Sequence, residues 1–255
     1  MDAKTIIRDA VERVMTLRKT AAATPGLAQA VSEVKHFQAR RFKGTYADML
    51  GSSQYKPAAL FFLEELYSEK DYSSRDAQFA RIAGALERIF PEQVVQTAVS
   101  LARLHRLTEE LDLAMGQCWL NSGKGHEVAR YVAAWREVDR RADRQTQVET
   151  VMSVGHELDR LTRMPGLRLM LKMMRSPANL AGLGALQRFL ESGFDTFAAM
   201  GRKGDGATYF LSTVQARERA LIALLFEGNS VACETNLAQI LGEPPIAPAG
   251  NARAQ

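Results

Sequence analysis

His105, Glu109 and Asp112 are the residues whose types and spacing best suit chemistry. Their spacing places an imidazole and two carboxylates on one face of an α-helix. An imidazole oriented by a carboxylate can ligate a metal or a haem iron, bind a small ligand, or transfer protons. Alternatively, His105 hydrogen-bonds a neighbouring helix while both acids are solvated, which is the more common outcome because a site needs several converging groups. The three residues are the candidate ligand-binding site, and no catalytic residue is predicted.

The other histidines do not complete a known metal or catalytic motif. Glu33 and His36 have the E-x-x-H spacing of carboxylate-bridged di-metal bundles, but such a centre needs the motif twice and the chain has one copy. His156 is followed by a glutamate but lacks the second histidine of a zinc-protease helix. We therefore predict no metal site and no resident cofactor, with haem at His105 as the alternative.

Two glycine-rich stretches, residues 182–184 and 201–206, could in principle cradle a phosphate. Neither follows a predicted strand, so a phosphate-binding loop is not expected. Gly182 and Gly184 are instead predicted to lie within a helix and to let another helix approach closely.

The composition is that of an ordinary globular protein. Hydrophobic residues make up 46% and charged residues 24% of 255 residues, which excludes wholesale disorder. The net charge is +4 and the basic residues are scattered, so nucleic-acid binding is not expected. The two cysteines, Cys118 and Cys233, form no C-x-x-C motif. No signal peptide and no apolar run long enough to span a membrane is found, so a cytoplasmic location is predicted.

The elements that must position these residues are helices throughout. Apolar residues recur every three or four positions, which predicts an all-α fold of eight to ten helices, either compact and globin-like or a bundle. We expect a single domain over residues 1–241 and a disordered tail over 242–255. Helix restarts are predicted at Pro25, Pro57, Ser73, Pro91 and Pro177. At the Ser73 restart, Asp76 is the acid of a capping box.

His105 lies on the long helix predicted from Glu92 to about Leu120. It sits at the edge of an apolar stripe that is expected to face inward. The stripe consists of Val94, Ala98, Leu101, Leu104, Thr108, Leu111 and Met115.

Two charged segments have more than one interpretation. Residues 139–144 are predicted to be a turn or a solvated helix face. Residues 167–175 combine leucine and methionine with Arg168, Lys172 and Arg175, which suits a membrane-surface or partner-binding helix. The same pattern fits an ordinary amphipathic helix with the three cations on its wet edge, and we favour this second interpretation.

Several blocks resemble a proteobacterial family of helical proteins known as a domain of unknown function. They are residues 61–67 (FFLEELY), 71–76 (DYSSRD), 104–112 (LHRLTEELD) and 183–194 (LGALQRFLESGF). The resemblance extends from about residue 30 to residue 227 and implies an all-helical fold in a Gram-negative bacterium. It implies no activity, substrate or site. A fainter similarity to globin-type sensor domains concerns His105, which stands where a proximal ligand could lie.

These patterns predict a non-enzymatic interaction or regulatory protein that forms a homodimer. A different protein is the second candidate partner. The alternative is a small-ligand or haem-binding module that uses His105. An enzyme using His105, Glu109 and Asp112 as acids and bases ranks last.

Overall fold

The computed structural model describes residues 2–67, 72–123, 125–201 and 206–244. Over these ranges the chain is all-α, as predicted, and has thirteen helices and no strand. They are α1 (Ala3–Ala23), α2 (Leu27–Thr45), α3 (Ala47–Gly51), α4 (Lys56–Leu66), α5 (Ser73–Ile89), α6 (Glu92–Asn121), α7 (Glu127–Val138), α8 (Arg141–Thr162), α9 (Leu167–Met173), α10 (Arg175–Leu180), α11 (Gly184–Gly201), α12 (Gly206–Glu227) and α13 (Ser230–Leu241). Most of the predicted tail, from residue 245 onward, lies outside the described residues.

The count exceeds the predicted eight to ten, partly because two expected helices are divided. The helix predicted to run from Pro25 to about Leu50 starts at Leu27 and is split at Tyr46 into α2 and α3. Pro25 is therefore not the first helical residue, because Gly26 occupies the cap position with a φ of 78°. A glycine adopts this left-handed conformation without the steric cost that a Cβ brings.

The second division corrects the prediction for Gly182. The helix expected to run from residue 178 to 200 is interrupted between α10 and α11, where Gly182 has a φ of 67°. The guanidinium of Arg81, on α5, donates hydrogen bonds to the carbonyl oxygens of Ala181 and Gly182 at 2.6 and 2.9 Å. These bonds satisfy carbonyls that the end of α10 leaves without helical partners.

The long helix α6 organises the fold, because α1, α2, α7 and α8 all pack against it. Its contact with α2 is close at Gly116, where a Cβ would lie 2.5 Å from Cγ2 of Val31. A second apolar face, with Val95, Val99 and Ala102, is buried together with residues of α1 and α5.

The apolar side chains form three separate clusters. The largest joins α2–α4, α6–α8 and α11–α13 around Phe37, Trp119 and Phe210. A second lies between α1, α5 and α6, and a third contains Leu161, Leu171 and residues near them on α9 and α11. Because the clusters do not merge, the fold leaves space where they approach one another.

The short helix α9 agrees with the amphipathic interpretation of residues 167–175. Leu167 and Leu171 are buried, while Arg168 and Lys172 are exposed. Among the helices that the structure describes, none is long and apolar enough to cross a membrane.

Candidate functional site

A largely apolar cavity of about 180 Å³ lies where the three clusters approach one another, and we name it the outer cavity. Most of its wall comes from α5, α6, α9 and α11. Six apolar residues of this wall are Phe79, Ile82, Leu101, Leu171, Leu190 and Phe194. The first part of the predicted α6 stripe, from Val94 to Thr108, lines this space, so the stripe faces a cavity where sequence alone suggested a packed helix.

His105, Glu109 and Asp112 all line the outer cavity at its polar end. The two acids are only 8% and 3% exposed, so the expectation that they are solvated was wrong. They are buried because α1, α2 and α5 bring cations and a second polar row against this face of α6. The structure thus brings together all three residues that the spacing singled out.

His105 is held by α5, as the prediction of a bond to a neighbouring helix anticipated. Its Nε2 lies 3.0 Å from Oδ2 of Asp76. Asp76 is not the acid of a capping box, since it faces inward and lies 2.9 Å from Nη1 of Arg18 on α1. Burial opposes ionisation of Asp76, but the bond to His105 and the charge of Arg18 hold its pKa below the ordinary value.

Glu109 is paired with cations from two helices. Nζ of Lys35, on α2, lies 2.9 Å from its Oε1, and Nη2 of Arg18 lies 3.5 Å from the same oxygen. Burial raises the pKa of Glu109, but the charge and hydrogen bond of Lys35 outweigh that effect and leave the pKa below its ordinary value. Glu109 is therefore an ionised carboxylate within a structural ion-pair network.

Asp112 differs from Glu109 because it is more deeply buried and more weakly paired. Nε2 of Gln38 donates to its Oδ1 at 3.3 Å, and Nζ of Lys35 is 3.7 Å from its Oδ2. Burial dominates and raises the pKa of Asp112. The two carboxylates on one helix face thus have pKa values shifted in opposite directions.

This geometry is poorly arranged for iron ligation by His105. The Nε2 atom, which would face an iron in the globin arrangement suggested above, is engaged by Asp76. Within the described ranges no cluster of three histidine, cysteine or acidic side chains is suitable for a metal ion. Of the E-x-x-H pair, Glu33 accepts a hydrogen bond from Nε1 of Trp119 at 2.8 Å. His156 is exposed.

A second, smaller cavity of about 60 Å³ adjoins the first, and we name it the inner cavity. The same five side chains border both spaces, namely Gln38, Leu66, Tyr67, Leu104 and Thr108. Sequence reasoning missed this cavity entirely. Arg144, which was assigned to a turn or a solvated face, lies on its wall and is buried.

The inner cavity contains a buried ion pair. Nη1 of Arg41, on α2, is 2.5 Å from Oε1 of Glu218 on α12, and the hydroxyl of Tyr46 donates to the same oxygen at 2.8 Å. Arg144 lies over the ring of Trp135, with 4.2 Å between its guanidinium carbon and the ring centroid. No sequence pattern pointed to Arg41, Arg144 and Glu218. They lie on three separate helices and look like ordinary surface charges in the sequence.

Together these features define an all-α protein with an apolar cavity bounded by buried ion pairs. The chain belongs to the family described as Domain of unknown function (DUF8198), whose match covers residues 17–232. This confirms the resemblance to a helical domain of unknown function. No curated protein and no solved structure matched the chain.

Proposed function

We propose that the protein is a non-enzymatic regulatory protein that binds a small apolar or amphipathic molecule in the outer cavity. The observation that carries this proposal is the apolar wall of the cavity, which ends in the polar row of His105, Glu109 and Asp112. Binding pockets commonly combine an apolar lining with a few convergent polar groups.

The size of the outer cavity suits a small guest. An engineered apolar cavity of about 150 Å³ in another protein takes up benzene, and the outer cavity is slightly larger at about 180 Å³. Burial contributes about 0.8 kcal/mol per methylene, so an eight-carbon chain that also enters the inner cavity gains about 6 kcal/mol. Because association itself costs free energy, this value is an upper limit on the affinity, and the Kd should be no tighter than about 10 µM.

Ligand binding offers a direct route to regulation. The outer cavity separates α5 and α11 from the apolar stripe of α6, so an occupant would touch all three clusters at once. Such an occupant stabilises the arrangement of helices that it contacts. Any surface formed by those helices is then coupled to the ligand.

The polar row supports binding better than catalysis or haem ligation. Glu109 and Asp112 are occupied by Lys35, Arg18 and Gln38. His105 is tied to Asp76 through Nε2, the nitrogen that binds iron in the globin arrangement. These groups close one end of the cavity.

Isothermal titration with 1-octanol tests the proposal. The wild type should bind with a Kd between about 10 µM and about 1 mM. Leu101→Trp should fill the cavity and weaken binding at least tenfold. Leu120→Trp is the matched control, because Leu120 is an exposed leucine of the same helix as Leu101 and does not line the cavity. Absence of octanol binding by the folded wild type would refute the proposal.

We also propose self-association as a homodimer through the exposed side of α9 and α10. Leu169, Met173 and Leu180 are 63%, 68% and 88% exposed there, which is unusual for large apolar residues grouped in one region. Sedimentation equilibrium should give a dimer for the wild type and a monomer for Leu180→Glu. A monomeric wild type would contradict the proposal.

A cytoplasmic location in a Gram-negative bacterium completes the proposal. Cys118 and Cys233 are both unpaired thiols, which suits a reducing compartment. Fractionation of the native host, with the protein in the periplasm, would contradict this assignment.

A further inference from the structure

We propose that the ligand carries a carboxylate, which binds in the inner cavity against Arg144 and Arg41 while the apolar part of the ligand occupies the outer cavity. This inference rests on the proposed function and adds the chemical class of the ligand, a small aliphatic or aromatic carboxylic acid. Its basis is a group of buried donors that the protein itself leaves unsatisfied.

Three nitrogen donors on the wall of the inner cavity have no acceptor. Nη2 of Arg144, Nε of Arg41 and Nε1 of Trp135 are buried and have no hydrogen-bond partner within the part of the chain that the structure describes. The three residues are only 6%, 4% and 6% exposed. An unsatisfied buried donor is costly, and most native proteins avoid it. Three such donors around one cavity indicate an acceptor that is supplied from outside the chain.

The charge of the inner cavity is also unbalanced. Arg41 and Arg144 lie on its wall, and Glu218 is the one acid among the described residues that line it. Glu218 is already engaged by Arg41 and Tyr46. Asp112, which contacts Gln38 and Lys35, also attracts Arg144 electrostatically, but no ion pair joins the two among the described residues. Arg144 therefore lacks a close counter-charge, and one monovalent anion would neutralise the cavity.

A carboxylate fits both the space and the donors. At about 60 Å³ the inner cavity has room for a small polar group or a few water molecules. Guanidinium N–H groups donate charge-assisted hydrogen bonds to carboxylates, and the indole N–H of Trp135 is a third unsatisfied donor on the same wall.

The position of the inner cavity explains why the ligand should carry an apolar chain as well as a carboxylate. The five side chains that border both cavities show that the inner space adjoins the outer one directly. A bound head group at Arg144 therefore directs an attached chain past Leu66 and Leu104 toward the apolar wall.

The polar row in the outer cavity is a less suitable anion site. Lys35 and Arg75 are the lysine and arginine side chains among the described residues that line the outer cavity. Both already contact acids, with Lys35 at 2.9 Å from Glu109 and Arg75 at 2.5 Å from Glu65. An anion placed there would also meet the carboxylates of the polar row. Among the described residues that line the two cavities, the unpaired nitrogen donors belong to the inner one.

Paired titrations with octanoate and 1-octanol at neutral pH test the inference. Both probes have eight carbon atoms, so the ratio of their affinities measures the contribution of the head group alone. The wild type should bind octanoate at least tenfold more tightly than 1-octanol. Arg144→Met should abolish that preference and leave the octanol affinity within twofold of wild type. Arg160→Met is the matched control, since Arg160 is an exposed residue of the same helix, and it should change neither affinity.

Trp135→Phe provides a second variant that keeps an aromatic ring and removes one donor. It should weaken octanoate about threefold and leave octanol unchanged, so a folding failure of Arg144→Met does not end the test. Equal affinity of the wild type for both probes would overturn the inference and would indicate that only water fills the inner cavity. That result would leave the proposed function unaffected. An equal loss of octanoate binding in the Arg144 and Arg160 variants would also overturn it. If neither probe binds, the proposed function itself fails.

Discussion

Replacing Asp76 by asparagine should destabilise the protein by about 2–3 kcal/mol, since each charge-assisted hydrogen bond contributes about 1.5–3 kcal/mol. The carboxylate is almost completely buried and lies 2.9 Å from Arg18 and 3.0 Å from His105. Asparagine keeps the shape and one acceptor but removes the charge. Arg18 retains Glu109 as a partner, which keeps the loss below the 3–5 kcal/mol typical of a fully broken buried pair.

Urea unfolding followed by circular dichroism measures this loss, and Asp195→Asn is its matched control. Asp195 also contacts an arginine, Arg168 at 2.7 Å, but its side chain is 53% exposed. An exposed pair of this kind contributes at most about 1 kcal/mol. The two substitutions are chemically identical, so the difference between them isolates burial and the contact with His105.

The direction of the pKa shift of Asp76 determines how the free energy of unfolding should change with pH. The pKa of Asp76 is lowered in the folded state, so its contribution is present above the unfolded pKa, about 4, and is lost as the pH falls through the folded value. The difference in the free energy of unfolding between the wild type and Asp76→Asn should therefore become smaller below about pH 4. An Asp76 variant within 0.5 kcal/mol of wild type at pH 7, on the scale of an ordinary surface substitution, would refute the reasoning.

Further predictions concern Asp112 and the α2–α6 contact. Because the pKa of Asp112 is raised in the folded state, ionisation of Asp112 destabilises the fold as the pH rises. In urea unfolding, Asp112→Asn should therefore become more stable relative to the wild type between pH 3 and pH 7. A difference in the free energy of unfolding that does not change with pH would contradict this. Gly116→Ala places a Cβ 2.5 Å from Cγ2 of Val31 and should cost about 1–3 kcal/mol in thermal unfolding. Gly51→Ala, where a Cβ meets nothing within 4 Å, is its control and should be neutral or slightly stabilising.

The helical fold could be predicted because its signals are local. The period of apolar residues places His105, Glu109 and Asp112 on one face of α6 whatever surrounds that helix. The restart at Pro57 was likewise correct, since proline lies in the first turn of α4. The restart at Pro25 was wrong because Gly26 takes a left-handed conformation that moves the start of α2 to Leu27.

The partners of the site could not be predicted because they come from distant parts of the chain. Asp76 lies 29 residues before His105 and joins it only through the packing of α5 on α6. Lys35 and Arg18 come from α2 and α1. Because these partners pack against α6, Glu109 and Asp112 are buried in an ion-pair network. A helical projection of α6 alone places both acids in solvent.

The burial of Arg144 was the least predictable feature. It follows a run of charged residues, a pattern typical of a solvated face. In the fold, its guanidinium is covered by the ring of Trp135 and its Nη1 donates to Oε1 of Gln147 at 3.3 Å. Charge patterning shows how polar a segment is, but not which of its charges faces inward.

A crystal structure under xenon pressure tests the central claim most directly, because xenon enters apolar cavities without hydrogen bonds or charge. The account predicts anomalous density for xenon in the outer cavity, between Leu101, Leu190 and Phe194. The density should disappear in Leu101→Trp. Xenon bound only elsewhere, or an outer cavity closed by its own side chains, would contradict the account.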